Sequence, residues 1–172
     1  MSFIINDKIL EKYTGACAHV TIPYGVVEIG EFAFYQCTTI ETVSIPSSVE
    51  YIGWDAFAGC TNLKSVDIPD SVTEIGNYAF LGCSRLYSLI IRGNTLSVGY
   101  AAFNDCIGLS NVWFGGTETD RKGICFDGDN EIIENVVWHY NTCNEHSYSK
   151  TCDTTCDECE WIRTSSVLHT YD

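Results

Sequence analysis

The chain is short of positive charge. Nine lysines and arginines face 23 aspartates and glutamates across 172 residues, a formal net charge of −14. Such an excess of one sign repels polyanions, so nucleic acid and anionic lipid surfaces are excluded as partners bound by long-range attraction. Long apolar runs are missing too. None approaches the roughly 20 residues of a membrane-spanning helix, so no membrane insertion is expected. Met1 to Asn6 (MSFIIN) has no basic segment, apolar core or small-residue cleavage site, so no secretory signal is expected there. The chain reads as a piece of a longer protein. Catalytic motifs are absent as well: no G-x-S-x-G elbow and no phosphate-binding loop occurs. Of four histidines, His19, His139, His146 and His169, none sits beside a nucleophile motif. The expectation is a non-catalytic protein.

Proline is scarce in an informative way. There are three, Pro23, Pro46 and Pro69, and they lie 23 residues apart. They mark a repeat that recurs four times, over residues 18–40, 41–63, 64–86 and 87–109. Periods of about 20 to 50 residues signal solenoids, whose units bury their apolar faces only against their neighbours. Equivalent positions stack into columns. Val20, Val43, Val66, Leu89 and Val112 form one, and Ile22, Ile45, Ile68, Ile91 and Phe114 the next. Their period of two is that of a strand with one buried face. The prolines follow these strands and end ladder pairing, since proline has no amide to donate. Further along each unit stand Ile29, Ile52, Ile75 and Val98, then Gly30, Gly53, Gly76 and Gly99, then Ala33, Ala56, Ala79 and Ala102 directly before Phe34, Phe57, Phe80 and Phe103, a small residue beside a large one in every layer. The recurrent glycine implies either an unusual backbone conformation or an approach too close for a Cβ. Residues 77–83 fit one helical or 3₁₀ turn, too short to be a stable helix by itself.

Eight of the ten cysteines form two populations, and Cys17 and Cys125 sit near the two ends of the repeat array. Cys37, Cys60, Cys83 and Cys106 share one repeat position and read as buried free thiols, because an in-register stack aims the side chains in parallel and gives poor disulfide geometry. Cys143, Cys152, Cys156 and Cys159 crowd the end of the chain, with His146 upstream and His169 downstream. A C-x3-C-x2-C cluster suits structural zinc, and a small module without a core needs either metal or disulfides, so zinc, disulfides and an unstructured piece all stay open. The reading divides the chain into an N-terminal hairpin cap over 1–17, turning at Asn6-Asp7, four repeats over 18–109, a fifth strand and cap over 110–141, and a Cys-rich tail over 142–172.

The phrase carried by residues 40–60 and 63–83, approximately L-x-x-[VL]-x-IP-x-x-V-x-x-IG-x-x-AF-x-x-C, resembles the BspA-like (Treponema pallidum type) leucine-rich repeat. The segment from GGT (115–117) to HYN (139–141) is similar to that family's C-terminal cap. The tail resembles short H-x-Y…CD-x-x-C-x-x-C…R motifs of gut-bacterial surface proteins, with Glu160 standing where glycine is usual. The resemblance implies an α/β leucine-rich-repeat solenoid with one parallel strand per turn, on a bacterial surface or secreted. It implies adhesion to a protein or glycan of host matrix or other cells, with a structural spacer as the alternative role. No cofactor is expected beyond structural zinc in the tail. Outward sheet positions are the candidate binding residues: Thr42, Ser65, Ser88 and Asn111 in one column, Ser44, Asp67, Ile90 and Trp113 in the other. Tyr24, Tyr51, Trp54, Tyr78 and Tyr100 make a second, aromatic flank.

Overall fold

In the computed structural model, residues 2–93 and 96–140 are described; Cys143, Cys152, Cys156 and Cys159 lie outside the described residues, so the zinc and disulfide readings do too. The strands come in two series. Every coil contributes one to a six-stranded parallel sheet: β3 (His19–Thr21), β5 (Thr42–Ser44), β7 (Ser65–Ile68), β9 (Ser88–Ile91), β11 (Asn111–Phe114) and β13 (Val137–His139), neighbours in that order. A second sheet runs along another side: β1 (Phe3–Asn6), β2 (Ile9–Tyr13), β4 (Glu28–Ile29), β6 (Tyr51–Ile52), β8 (Glu74–Ile75), β10 (Leu96–Val98) and β12 (Ile124–Phe126). It is parallel except for the β1–β2 hairpin.

The expected solenoid is therefore present, with two strands per turn rather than one. Three of the added strands are only two residues long, and two residues cannot display a period. Among the described residues helix is almost absent: two 3₁₀ segments, Asp120–Gly123 and Glu131–Asn135, occur in the C-terminal cap. The expected turn at 77–83 is a run of i→i+3 bonds, Ala79 N to Gly76 O at 3.3 Å and Leu81 N to Tyr78 O at 2.9 Å. Phe32, Asp55, Tyr78 and Ala101 occupy the left-handed region there, with φ between 51° and 59°. This side is bonded from coil to coil as well, with the amides of Phe34, Phe57 and Phe80 donating to Ala56, Ala79 and Ala102.

The predicted columns are the core. Both branched columns are buried, and the phenylalanines form a ladder of near-parallel rings with centroids 4.7, 5.1 and 5.2 Å apart. Tyr13 of the hairpin extends the stack at 5.1 Å from Phe34. The hairpin covers the first coil as expected, with β2 pairing β4. Its turn is Asp7-Lys8, one residue later than expected, and both residues have positive φ, the twist that matches a tight hairpin.

Cys60, Cys83 and Cys106 are buried free thiols, each donating to a phenylalanine carbonyl of the preceding coil at 3.1–3.2 Å. Cys37, in the first coil, is half-buried. Burial pushes the Cys60 thiol up to about 12. Since the thiolate is the nucleophile, iodoacetamide at pH 8 under native conditions should modify the exposed Cys17 and Cys125 and leave Cys60, Cys83 and Cys106 intact until denaturant is added. Peptide-resolved mass spectrometry reads this directly; rapid native labelling of Cys60 would contradict the burial.

Candidate functional site

Alternation along the six-stranded sheet turns one set of side chains inward and leaves the other outside. The structure brings Thr42, Ser65, Ser88 and Asn111 into register on neighbouring strands, and does the same for Asp67, Ile90 and Trp113. β13 adds Val137 beside Asn111 and His139 beside Trp113.

This face is bonded to itself. His19 and Thr42 share a hydrogen bond at 2.9 Å between Nδ1 and Oγ1, and His139 Nε2 donates to Asn111 Oδ1 at 3.0 Å. Arg92 grips Asp67 with two bonds, Nε to Oδ1 at 2.7 Å and Nη2 to Oδ2 at 2.6 Å. Lys64 meets Glu41 at 2.7 Å and holds that carboxyl below its ordinary range. At the C-terminal end the His139 ring lies flat on Trp113, centroids 3.9 Å apart and planes 10° apart. Ile90 and Trp113 are half-buried, so the cap's last strand covers part of the tryptophan and leaves part accessible.

One candidate residue is not available. Ser88 is 1% exposed, and its hydroxyl finds no hydrogen-bond partner among the described residues. Ser65, one strand away in the same register, is half-buried, so the burial is particular to Ser88, which offers a partner nothing. His139, Arg92 and His19 belong to the face and were not among the candidates. Arg92 carried a signal: it stands immediately after the strand, where the first three units have proline, and from there it reaches back one coil to Asp67.

On the second flank Tyr24, Trp54 and Tyr100 are exposed, Tyr51 and Tyr78 half-buried. Tyr100 donates to Asp129 of the cap, and that bond holds its phenol above the ordinary range. Among the described residues no group of three or more His, Cys, Asp or Glu is placed to hold a metal.

Coils of 23 residues, a parallel sheet on one side and a ladder of buried apolar columns inside define a leucine-rich-repeat solenoid. The sequence profile of the BspA-type leucine-rich repeat region matches residues 4–133 in six copies, and the chain belongs to that family. The matched span extends beyond the four regular units at both ends, taking in β2 and the cap strand β12, each of which pairs in parallel with the neighbouring coil.

Solved structures agree. The leucine-rich repeat protein of Treponema pallidum is 31% identical with a TM-score of 0.62, over 73% of this chain and 60% of that one. A leucine-rich cell surface protein of Faecalibacterium prausnitzii is 26% identical with a TM-score of 0.50, over 73% of this chain and 40% of that one. The pneumococcal vaccine antigen PcpA, at 18% identity, shares the fold with a TM-score of 0.65, over 81% of this chain and 35% of that one. The chain thus spans less than two thirds of each of these relatives. No curated protein matches it.

Proposed function

We propose that the chain is the non-catalytic interaction domain of a bacterial cell-surface or secreted protein, binding a protein or glycan of host matrix or of other cells through its six-stranded sheet. The observation that carries this reading is the end of that sheet. Ile90, Trp113 and His139 stand at one register on three adjacent strands, where partly accessible apolar area is gathered on an otherwise small and polar face. Tryptophan in such a position supplies large contact area at little conformational cost. A surface location fits the cell-surface description of the Faecalibacterium relative.

The test is adhesion of the purified domain to matrix proteins and to host and bacterial cells. Trp113→Ala with Ile90→Ser should weaken that adhesion at least about tenfold, as loss of an interface anchor does, while circular dichroism and thermal unfolding report an intact fold. Adhesion unchanged by the pair would refute the sheet face as the site. The second reading, a spacer displaying other domains, draws on the self-bonded polar groups of the same face. It predicts that no matrix protein or cell retains the domain at all.

A further inference from the structure

Charge is segregated around the coil. The three cations of the repeats, Lys64, Arg85 and Arg92, all lie on the six-stranded-sheet side, bonded to Glu41, Asn62 and Asp67. The remaining part of each unit, residues 24–36, 47–59, 70–82 and 93–105, holds seven carboxylates and no lysine or arginine. On this side, where the repeats themselves carry no cation, an aromatic band crosses all four coils: Phe32, 51% exposed, Trp54, 49% exposed, half-buried Tyr78 and then Tyr100.

Members of the band are joined in pairs across coils. The Phe32 amide donates to the carbonyl of Trp54 at 3.0 Å, and that of Tyr78 to Tyr100 at 2.9 Å. The Trp54 ring lies across Gly76, its Cδ1 only 2.6 Å from where a Cβ there would stand. Tyr78 and Tyr100 meet edge-on at 5.6 Å. Carboxylates are set among the rings: Asp55 follows Trp54 directly, close enough to Glu31 for their charges to repel, and burial together with that repulsion raises the Asp55 carboxyl.

Phe32 and Tyr78 sit on this band at φ of 57° and 59°. Bulky residues rarely accept that conformation, which costs about 1–3 kcal/mol. Phe32, half exposed, recovers little of that cost through burial. The same conformation recurs at Asp55 and at buried Ala101, so it belongs to the coil, and the sequence places large rings on it at two of the four positions.

We propose that this band is a docking surface for a cationic, arginine-rich extended segment of a partner protein. A guanidinium stacks on an aromatic face and forks onto a carboxylate at once, and both elements lie side by side here, with no lysine or arginine in the four repeat arcs and Lys8 and Lys12 of the hairpin confined to the Phe32 end. This surface is separate from the sheet face, and the proposal stands whether or not that face binds.

The test uses the whole chain and a fluorescein-labelled peptide of alternating arginine and glycine, read by anisotropy. Glu31→Gln with Asp55→Asn, and separately Trp54→Ala, should each weaken binding about tenfold. The lysine–glycine peptide should bind several-fold more weakly than the arginine one. Glu118→Gln with Glu134→Gln, which removes the same charge from the cap, should leave binding unchanged. If Trp54→Ala does not fold, the Glu31/Asp55 pair decides alone. Equal loss from the cap pair would reduce the effect to net charge and overturn the proposal. So would wild-type affinity in the band variants, or Trp54-dependent binding of a neutral oligosaccharide in place of the arginine peptide.

Discussion

Phe57→Ala is expected to destabilise the domain by about 3–5 kcal/mol, the range for removing a fully buried aromatic ring. Phe57 is completely buried, between Phe34 at 4.7 Å and Phe80 at 5.1 Å, with ring planes within 10° of each. Neither neighbour can fall into the space left, because each is fixed to its own coil and the coils are tied by Phe34 N to Ala56 O and Phe57 N to Ala79 O, both at 2.7 Å. In a quasi-one-dimensional array each unit holds only its neighbours, so a void in the middle weakens two contacts at once. Urea unfolding followed by far-ultraviolet circular dichroism measures the loss, and Tyr24→Ala is the comparison. Tyr24 is 83% exposed, and its replacement should change stability by no more than about 0.5 kcal/mol. Similar midpoints for the two variants would show that the ring ladder contributes no packing energy.

Gly53→Ala, a single added methyl, should cost almost as much, at about 3 kcal/mol. A Cβ on Gly53 would stand 2.8 Å from the Glu31 nitrogen and the Gly30 carbonyl carbon, and 2.9 Å from the Ile29 oxygen. All three are backbone atoms of the preceding coil, so no side chain can swing aside. To make room the coils must part, which strains the bond from Gly53 N to Ile29 O at 2.7 Å. Gly25→Ala provides the contrast. Gly25 has φ of 93° and nothing near its would-be Cβ, so its cost is backbone strain alone, about 1–2 kcal/mol. A Gly53→Ala variant as stable as wild type would mean that the coils are not in contact at this column.

The glycine column shows where sequence reasoning reaches and where it stops. Recurrence of Gly30, Gly53, Gly76 and Gly99 announces a backbone requirement, and the choice between unusual dihedrals and close approach needs coordinates. The structure places the unusual dihedrals two residues later, on Phe32, Asp55, Tyr78 and Ala101. No residue type there signals left-handed backbone, since the conformation is imposed by bonds from the neighbouring coil. The branched columns and the phenylalanines were legible because burial restricts residue type at each repeat of the period. The second sheet was not, because β4, β6 and β8 are too short to show alternation. Of the candidate sheet face, the register was readable, and the burial of Ser88 and the pairings were not. The contacts of Arg92 with Asp67, and of His139 with Trp113, cross 25 and 26 residues of sequence, and no local pattern records them.

The uniform register of the coils has a bearing on heredity. Val20, Val43, Val66, Leu89 and Val112 are interchangeable rungs, each meeting the next through the same backbone bonds. Unequal recombination that removes or duplicates 23 codons joins one rung to another of the same shape, whereas a loss of 22 turns every later side chain out of its column. A lineage can therefore lengthen or shorten this domain in whole coils within one generation, and the caps at both ends still meet a surface they fit.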